Sequence, residues 1–241
     1  MTFQTFPDYT ALSDHTARHL AALLKRKPDA LVCVASGDTP LGAYKAFVQL
    51  AQAGEVDTSR VTFVGLDEWL GMGPEDEGSC TWYLFRDLFG PLQLRPEQIV
   101  LLDAQAEDPA AACDRVNQYI AARGGLDLII VGVGLNGHIA MNEPGTSFDT
   151  YAHVSDLHET TITVGQKYFN RPTPLRQGLT IGLRHVAEAG EAILLASGAK
   201  KAPVLKTALN GPVTEEFPAS LFQRLEQGYV WADEAAAGSE A

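Results

Sequence analysis

A histidine set in a loop of glycines carries the most chemistry in this chain. His138 lies in Gly132–Gly145 (GVGLNGHIAMNEPG), crowded by Asn136, Gly137, Asn142 and Glu143. Imidazole has an unperturbed pKa of about 6.5, so it can take and return a proton near neutrality. Glu143 or Asn136 can orient the ring, the arrangement of a base held by a second group. The competing reading is a core histidine in a glycine-rich turn, yet a short loop of Gly, Asn, His and Glu has no obvious packing purpose.

Three other clusters have polar chemistry. Asp67 and Glu68 end an apolar run in GLDEW, beside Leu66, Trp69 and Leu70. A carboxylate held there loses solvation, binds its proton more tightly and can act as a general base. An ordinary acidic pair at a helix start would look the same. Ser36-Gly37-Asp38-Thr39 precedes a helix start, where free amides and the positive dipole end suit a phosphate. A plain strand-to-helix turn fits equally, and Asp38 must point away from a phosphate or touch another part of the ligand. Ser197-Gly198-Ala199-Lys200-Lys201 offers a second anion site or, alternatively, a solvated lysine pair. No GK[ST] follows the first loop and no GxGxxG is present, so neither a Walker A nor a nicotinamide site is supported. His15 and His19 sit one helical turn apart without the Glu of a zincin and read as a surface helix face.

These clusters follow apolar runs that must position them. Ala30–Ala35, Val61–Leu66, Leu126–Val133 and Ala192–Ala196 are continuous rather than alternating, as in parallel strands covered on both faces. Ile99–Leu102 and Tyr229–Ala232 are weaker strand candidates. Helices intervene. Ser13 can cap one that runs to Lys25, Thr39-Pro40 supplies an N-cap and first turn, and Asp108-Pro109 opens a third that Gly124-Gly125 stops. The alternation predicts right-handed βαβ units in an α/β fold, a central parallel sheet with helices on both faces. Ligands bind beyond the carboxyl ends of such strands, so the four polar clusters should meet at one rim.

The remaining composition sets bounds. A chain of 241 residues with 46% hydrophobic and 20% charged residues suits one large domain, expected over residues 1–232, followed by a small acidic tail from Asp233 to Ala241 that frays. Its net charge of -12 disfavours nucleic acid and anionic membranes, though not one small anion held by local cations. Cys33, Cys80 and Cys113 are odd in number and scattered, which fits reduced thiols better than disulfides or zinc. Cys33 reads as a small core hydrophobe. No signal peptide or membrane span is visible, and a cytoplasmic protein is expected.

The motifs together resemble the glucosamine-6-phosphate deaminase (isomerase) family, including its galactosamine-6-phosphate branch. The matching stretches are Ser36–Tyr44, Val61–Gly71, Asp127–Phe148 with its GHIxxNEPG element, Leu179–Leu183 and Ile193–Ala202. The resemblance implies a modified Rossmann-like fold, similar to the ribose-5-phosphate isomerase and CoA-transferase folds. It implies conversion of glucosamine 6-phosphate to fructose 6-phosphate, or galactosamine 6-phosphate to tagatose 6-phosphate, with release of ammonia and without metal or redox cofactor. By motif, Asp67 is the base moving a proton between C2 and C1, and His138, with Glu143, opens the pyranose ring. Ser36, Gly37, Asp38 and Thr39 form the phosphate loop, and Lys201 is a phosphate ligand. Two alternatives share the scaffold: a 6-phosphogluconolactonase-like hydrolase, and a non-catalytic sugar-phosphate sensor.

Three departures from the family pattern stand out. Asn136 replaces an aspartate before Gly-His; it can hydrogen-bond the imidazole but offers it no charge. Lys167 stands where a phosphate-binding arginine is expected, keeping the charge but losing the bidentate fork. His153 and Ser155 fall on basic positions of the regulated enzymes' effector site, so activation by N-acetylated sugar phosphate and a regulated hexamer are not expected. A monomer or homodimer is. The basic-to-neutral changes at His153 and Ser155, with Cys80-Thr81 after Gly78-Ser79, lean towards the galactosamine branch. The segment from about Tyr151 to Arg171, which carries Lys167, reads as a lid.

Overall fold

A computed structural model of the chain describes residues 1–238. In chain order its first half runs β1 (Thr2–Phe6), α1 (Tyr9–Arg26), β2 (Leu31–Val34), α2 (Asp38–Gln52), β3 (Thr62–Gly65), β4 (Asp67–Trp69), α3 (Cys80–Leu84), β5 (Ile99–Val100) and α4 (Pro109–Ala122). The second half runs β6 (Leu128–Gly132), β7 (His153–Asp156), α5 (Glu159–Gly165), β8 (Gln177–Thr180), α6 (Leu183–Glu188), β9 (Glu191–Ala196), α7 (Ala202–Asn210), β10 (Gly228–Asp233) and α8 (Glu234–Ala237).

Seven strands form one parallel sheet in the order β1-β10-β9-β6-β2-β3-β5. The apolar runs are continuous because side chains alternate between two covered faces. Val32, Val34, Leu128 and Ile130 pack under Leu20 and Leu24 of α1 and Tyr44 and Phe47 of α2. Leu31, Cys33, Ile129 and Val131 pack under Cys113, Val116 and Ile120 of α4 and Leu205 of α7. Each such aliphatic side chain contributes about 1.5–3 kcal/mol by leaving water. Cys33 is fully buried, as its apolar neighbours require.

A second sheet, β4-β8-β7, is antiparallel and was not foreseen from the apolar pattern. Its strands are short and partly polar, so they carry no continuous signal. β1 was missed for the same reason: four of its five residues are not buried.

Three local expectations need correction. α1 begins at Tyr9, where Asp8 accepts a hydrogen bond from the Ala11 amide at 2.8 Å; Ser13 is instead buried inside the helix. α2 begins at Asp38, not after Thr39, and no side chain caps it. The expected frayed tail also starts ordered. Asp233 ends β10, is only 5% exposed, and accepts from the Ala236 amide at 2.7 Å to cap α8. Ser239, Glu240 and Ala241 of that tail lie outside the described residues. The Asp108-Pro109 start of α4 is as expected, with Asp108 accepting from Ala111.

Candidate active site

The four strands that end in polar clusters are neighbours, β9-β6-β2-β3, at the middle of the parallel sheet. Their carboxyl ends deliver Ser197–Lys201, Gly134–His138, Ser36–Thr39 and Asp67 to one rim, as the strand pattern predicts.

The loop after β6 holds His138 in place from three sides. A Cβ on Gly134 would lie 2.1 Å from the imidazole Cε1, so only glycine admits the ring. Asn136 Oδ1 lies 2.6 Å from His138 Nδ1, and Asn136 Nδ2 donates to Glu143 Oε2 at 2.9 Å. Because the asparagine NH2 faces the carboxylate, its oxygen must face the ring, and Nδ1 must carry the proton. Nε2 is then free to accept one. Thr161 Oγ1 of α5 lies 3.1 Å from Nδ1 and closes the cluster from the side. Burial works against ionising Glu143, but its contacts with His138, Thr161 and Asn136 prevail and hold its pKa down at about 2. Glu143 Oε1 is buried without a partner. Asn142 is structural: fully buried, it donates to the Ile139 and Ile181 carbonyls at 2.9 and 2.8 Å and ties the loop to the end of β8. Ala140, at φ 55, carries the strain of the turn.

Asp67 starts β4 directly beyond β3. Burial raises its pKa from an ordinary 3.8 to about 7; the Cys80 thiol opposes this and the neighbouring Glu68 adds to it. Glu68 is fully buried and points away into a cage of donors. It accepts from the Trp69 amide at 2.8 Å, the Cys80 amide at 3.0 Å, the Thr81 amide at 2.8 Å and Thr81 Oγ1 at 2.5 Å. Of the acidic pair, Asp67 therefore faces the cleft and Glu68 fastens β4 to the start of α3.

The lysine-bearing side of the rim is built from two loops and the segment after α5. Gly37, at φ 96, turns the chain so that the first amides of α2 stand uncapped. Lys201 Nζ donates to the Val133 carbonyl at 2.5 Å, and its pKa is lowered by burial and by the charge of Lys167. Lys167 Nζ reaches Asp38 Oδ2 at 2.7 Å, which resolves where that carboxylate points. Asp233 supports the Ser197–Lys201 loop from below, accepting from Ser197 Oγ at 2.5 Å and the Gly198 amide at 3.0 Å.

Comparison with known proteins identifies the family. A family model described as "Glucosamine-6-phosphate isomerases/6-phosphogluconolactonase" matches residues 9–231. The chain belongs to this family. It is 36% identical to a glucosamine-6-phosphate deaminase of Bacillus velezensis, over 100% of both chains. It is 34% identical to a glucosamine-6-phosphate deaminase of Thermoanaerobacter sp., over 89% of this chain and 85% of that one. A solved structure of a monomeric glucosamine-6-phosphate deaminase superposes with a TM-score of 0.95 at 33% identity, covering 98% of this chain and 99% of that one. The 6-phosphogluconolactonase of Trypanosoma brucei shares the fold, with a TM-score of 0.79 at 18% identity over 100% of this chain and 98% of that one.

Within this member of the glucosamine-6-phosphate isomerase/6-phosphogluconolactonase family, two contributors escaped the sequence. Thr161 touches the imidazole from a helix distant in sequence, and Cys80 touches both Asp67 and Ser36. Thr161 stands in no glycine-rich or charged motif, and Cys80 follows the acidic run Glu75–Glu77 without carrying a charge of its own. The His15 and His19 pair is not a surface face. His15 lies 4.6 Å from the Trp231 ring, and His19 pairs with Glu191. Among the described residues no group of three His, Cys, Asp or Glu is placed to hold a metal ion, and no helix is long and apolar enough to cross a membrane.

Proposed function

We propose that this chain is an amino-sugar 6-phosphate deaminase that isomerises an aldose to a ketose and releases ammonia. One observation carries the reading: a buried carboxyl, Asp67, poised near neutrality on the same rim as an oriented imidazole. The bare Nε2 of His138 takes the proton from O1 of the pyranose and returns one to O5, which opens the ring. Asn136 fixes the tautomer, and Glu143 offsets the positive charge that forms on the ring. Asp67 then removes the C2 proton and delivers it to C1 through an enolamine. The resulting C2 iminium adds water and expels ammonia, which leaves the ketose. Ser36, Gly37, Thr39, Lys167 and Lys201 hold the phosphate through amides, a hydroxyl pair and two ammonium groups, while Asp38 sits beside them.

The likeness to glucosamine-6-phosphate deaminases favours glucosamine 6-phosphate, and galactosamine 6-phosphate is the competing substrate. We place the protein in the cytoplasm, and likeness to a monomeric deaminase supports a monomer over a dimer. Incubation with each sugar phosphate, assayed for ammonia and ketose, tests the reading. Ammonia from neither substrate refutes it.

A further inference from the structure

The anion loop contains its own anion. Asp38 opens α2, and its carboxylate is 74% exposed, yet it is held 2.7 Å from Lys167 Nζ, itself 49% exposed. The segment bearing Lys167 is already docked on the loop. The Tyr168 hydroxyl lies 2.9 Å from where a Cβ on Gly37 would stand, the Tyr83 hydroxyl donates to the Tyr168 carbonyl at 3.2 Å, and Lys167 Nζ lies 4.7 Å from the centre of the Tyr168 ring. Burial lowers the proton affinity of Lys201, and the charge of Lys167 lowers it further. Asp38 is the partner that offsets one of these charges.

We propose that Asp38 sets the affinity of the phosphate site by acting as an internal counter-ion for Lys167, which an incoming phosphate must displace. The inference rests on the assignment of this rim as the phosphate site. Binding then exchanges one ion pair for another, and the displaced carboxylate repels the phosphate dianion. Affinity for bare phosphate is therefore held down, and tight binding requires the rest of the sugar. Lys167 arrives from the segment after α5, so the exchange passes that segment's tie to the loop from Asp38 to the phosphate.

The loss of one exposed pair and one like-charge repulsion is worth about a three- to tenfold change in binding. Asp38→Asn should tighten inorganic phosphate by that factor in calorimetry and lower the KM for the amino-sugar phosphate in parallel. Added salt should shrink the gap, as screening requires. In a Lys167→Ala background the same Asp38→Asn change should have less than half its logarithmic effect, because the ammonium that Asp38 neutralises is gone. Unchanged or weaker phosphate binding by Asp38→Asn overturns the proposal, as does an equal effect in both backgrounds. Lys201→Ala is the control for the underlying assignment. If it weakens phosphate while Asp38→Asn does not tighten it, only the counter-ion role fails. If the unmutated protein binds no phosphate at all, the site assignment fails with it.

Discussion

Replacing Asp67 by asparagine separates the cost of burying a carboxylate from the use made of it. Its pKa rises from 3.8 to about 7 on folding, so the folded state holds a proton that the unfolded chain releases. The cost is absent below the unfolded value, grows through the window between the two, and is complete above about pH 7. At 1.36 kcal/mol per unit, roughly three units give about 4 kcal/mol at pH 8 and about 2 kcal/mol at pH 5. An amide of the same shape carries no such cost. Asp67→Asn should therefore gain stability over the unmutated protein as pH rises, by about 2 kcal/mol between pH 5 and pH 8 after discounting for the partly open cleft. Urea denaturation of both proteins at the two pH values measures it. Any pH-independent effect of the amide cancels in the difference, and the lost repulsion from Glu68 acts in the same direction. The same variant should lose exchange of the C2 proton with solvent while still binding the sugar phosphate. A stability difference that is identical at the two pH values, or that reverses, would refute the buried-base argument whatever happens to activity.

Four further outcomes follow from the site. With the base half-ionised at about pH 7, kcat/KM should fall about tenfold per unit below that point, which a pH–rate profile reads directly. Glu143, held down from 4.5 to about 2, stabilises the fold above pH 4.5 and loses that contribution as pH falls towards 2. Glu143→Gln should thus cost up to about 3 kcal/mol at pH 7, and progressively less in acid denaturation curves below pH 4.5. Lys201→Ala should raise KM about tenfold or more and change kcat less, if its grip on phosphate is equal in ground and transition states. Asp233→Ala strips the partners of Ser197 Oγ, the Gly198 amide and the Ala236 amide, and should cost about 2–4 kcal/mol in urea.

The rim was legible because each of its strands is a continuous apolar run ending in residues that have no reason to be buried. Ala30–Ala35 and Leu126–Val133 name their own elements, and the parallel-sheet rule brings their ends together without any contact being known. What escaped is whatever depends on side-chain direction. Asp67 and Glu68 are adjacent carboxylates with the same local signal, and only the pairing of β4 with β8 turns one to the cleft and the other into a cage of four donors. Thr161 and Cys80 are ordinary residues brought to the rim by packing. Asp233 read as the start of an acidic tail because composition cannot reveal a buried cap.

Asn136 shows the same limit most sharply. By type it is a deficit, an asparagine that offers the imidazole no charge. In place it is a bridge, accepting from His138 on one side and donating to Glu143 at 2.9 Å on the other. An aspartate in that pose would set two carboxylate oxygens against each other with no donor between them, and one of the pair would have to take up a proton or move away. The asparagine lets Glu143 stay ionised next to the ring, so the charge that steadies a protonated His138 is supplied across the loop and not by the residue that touches it first.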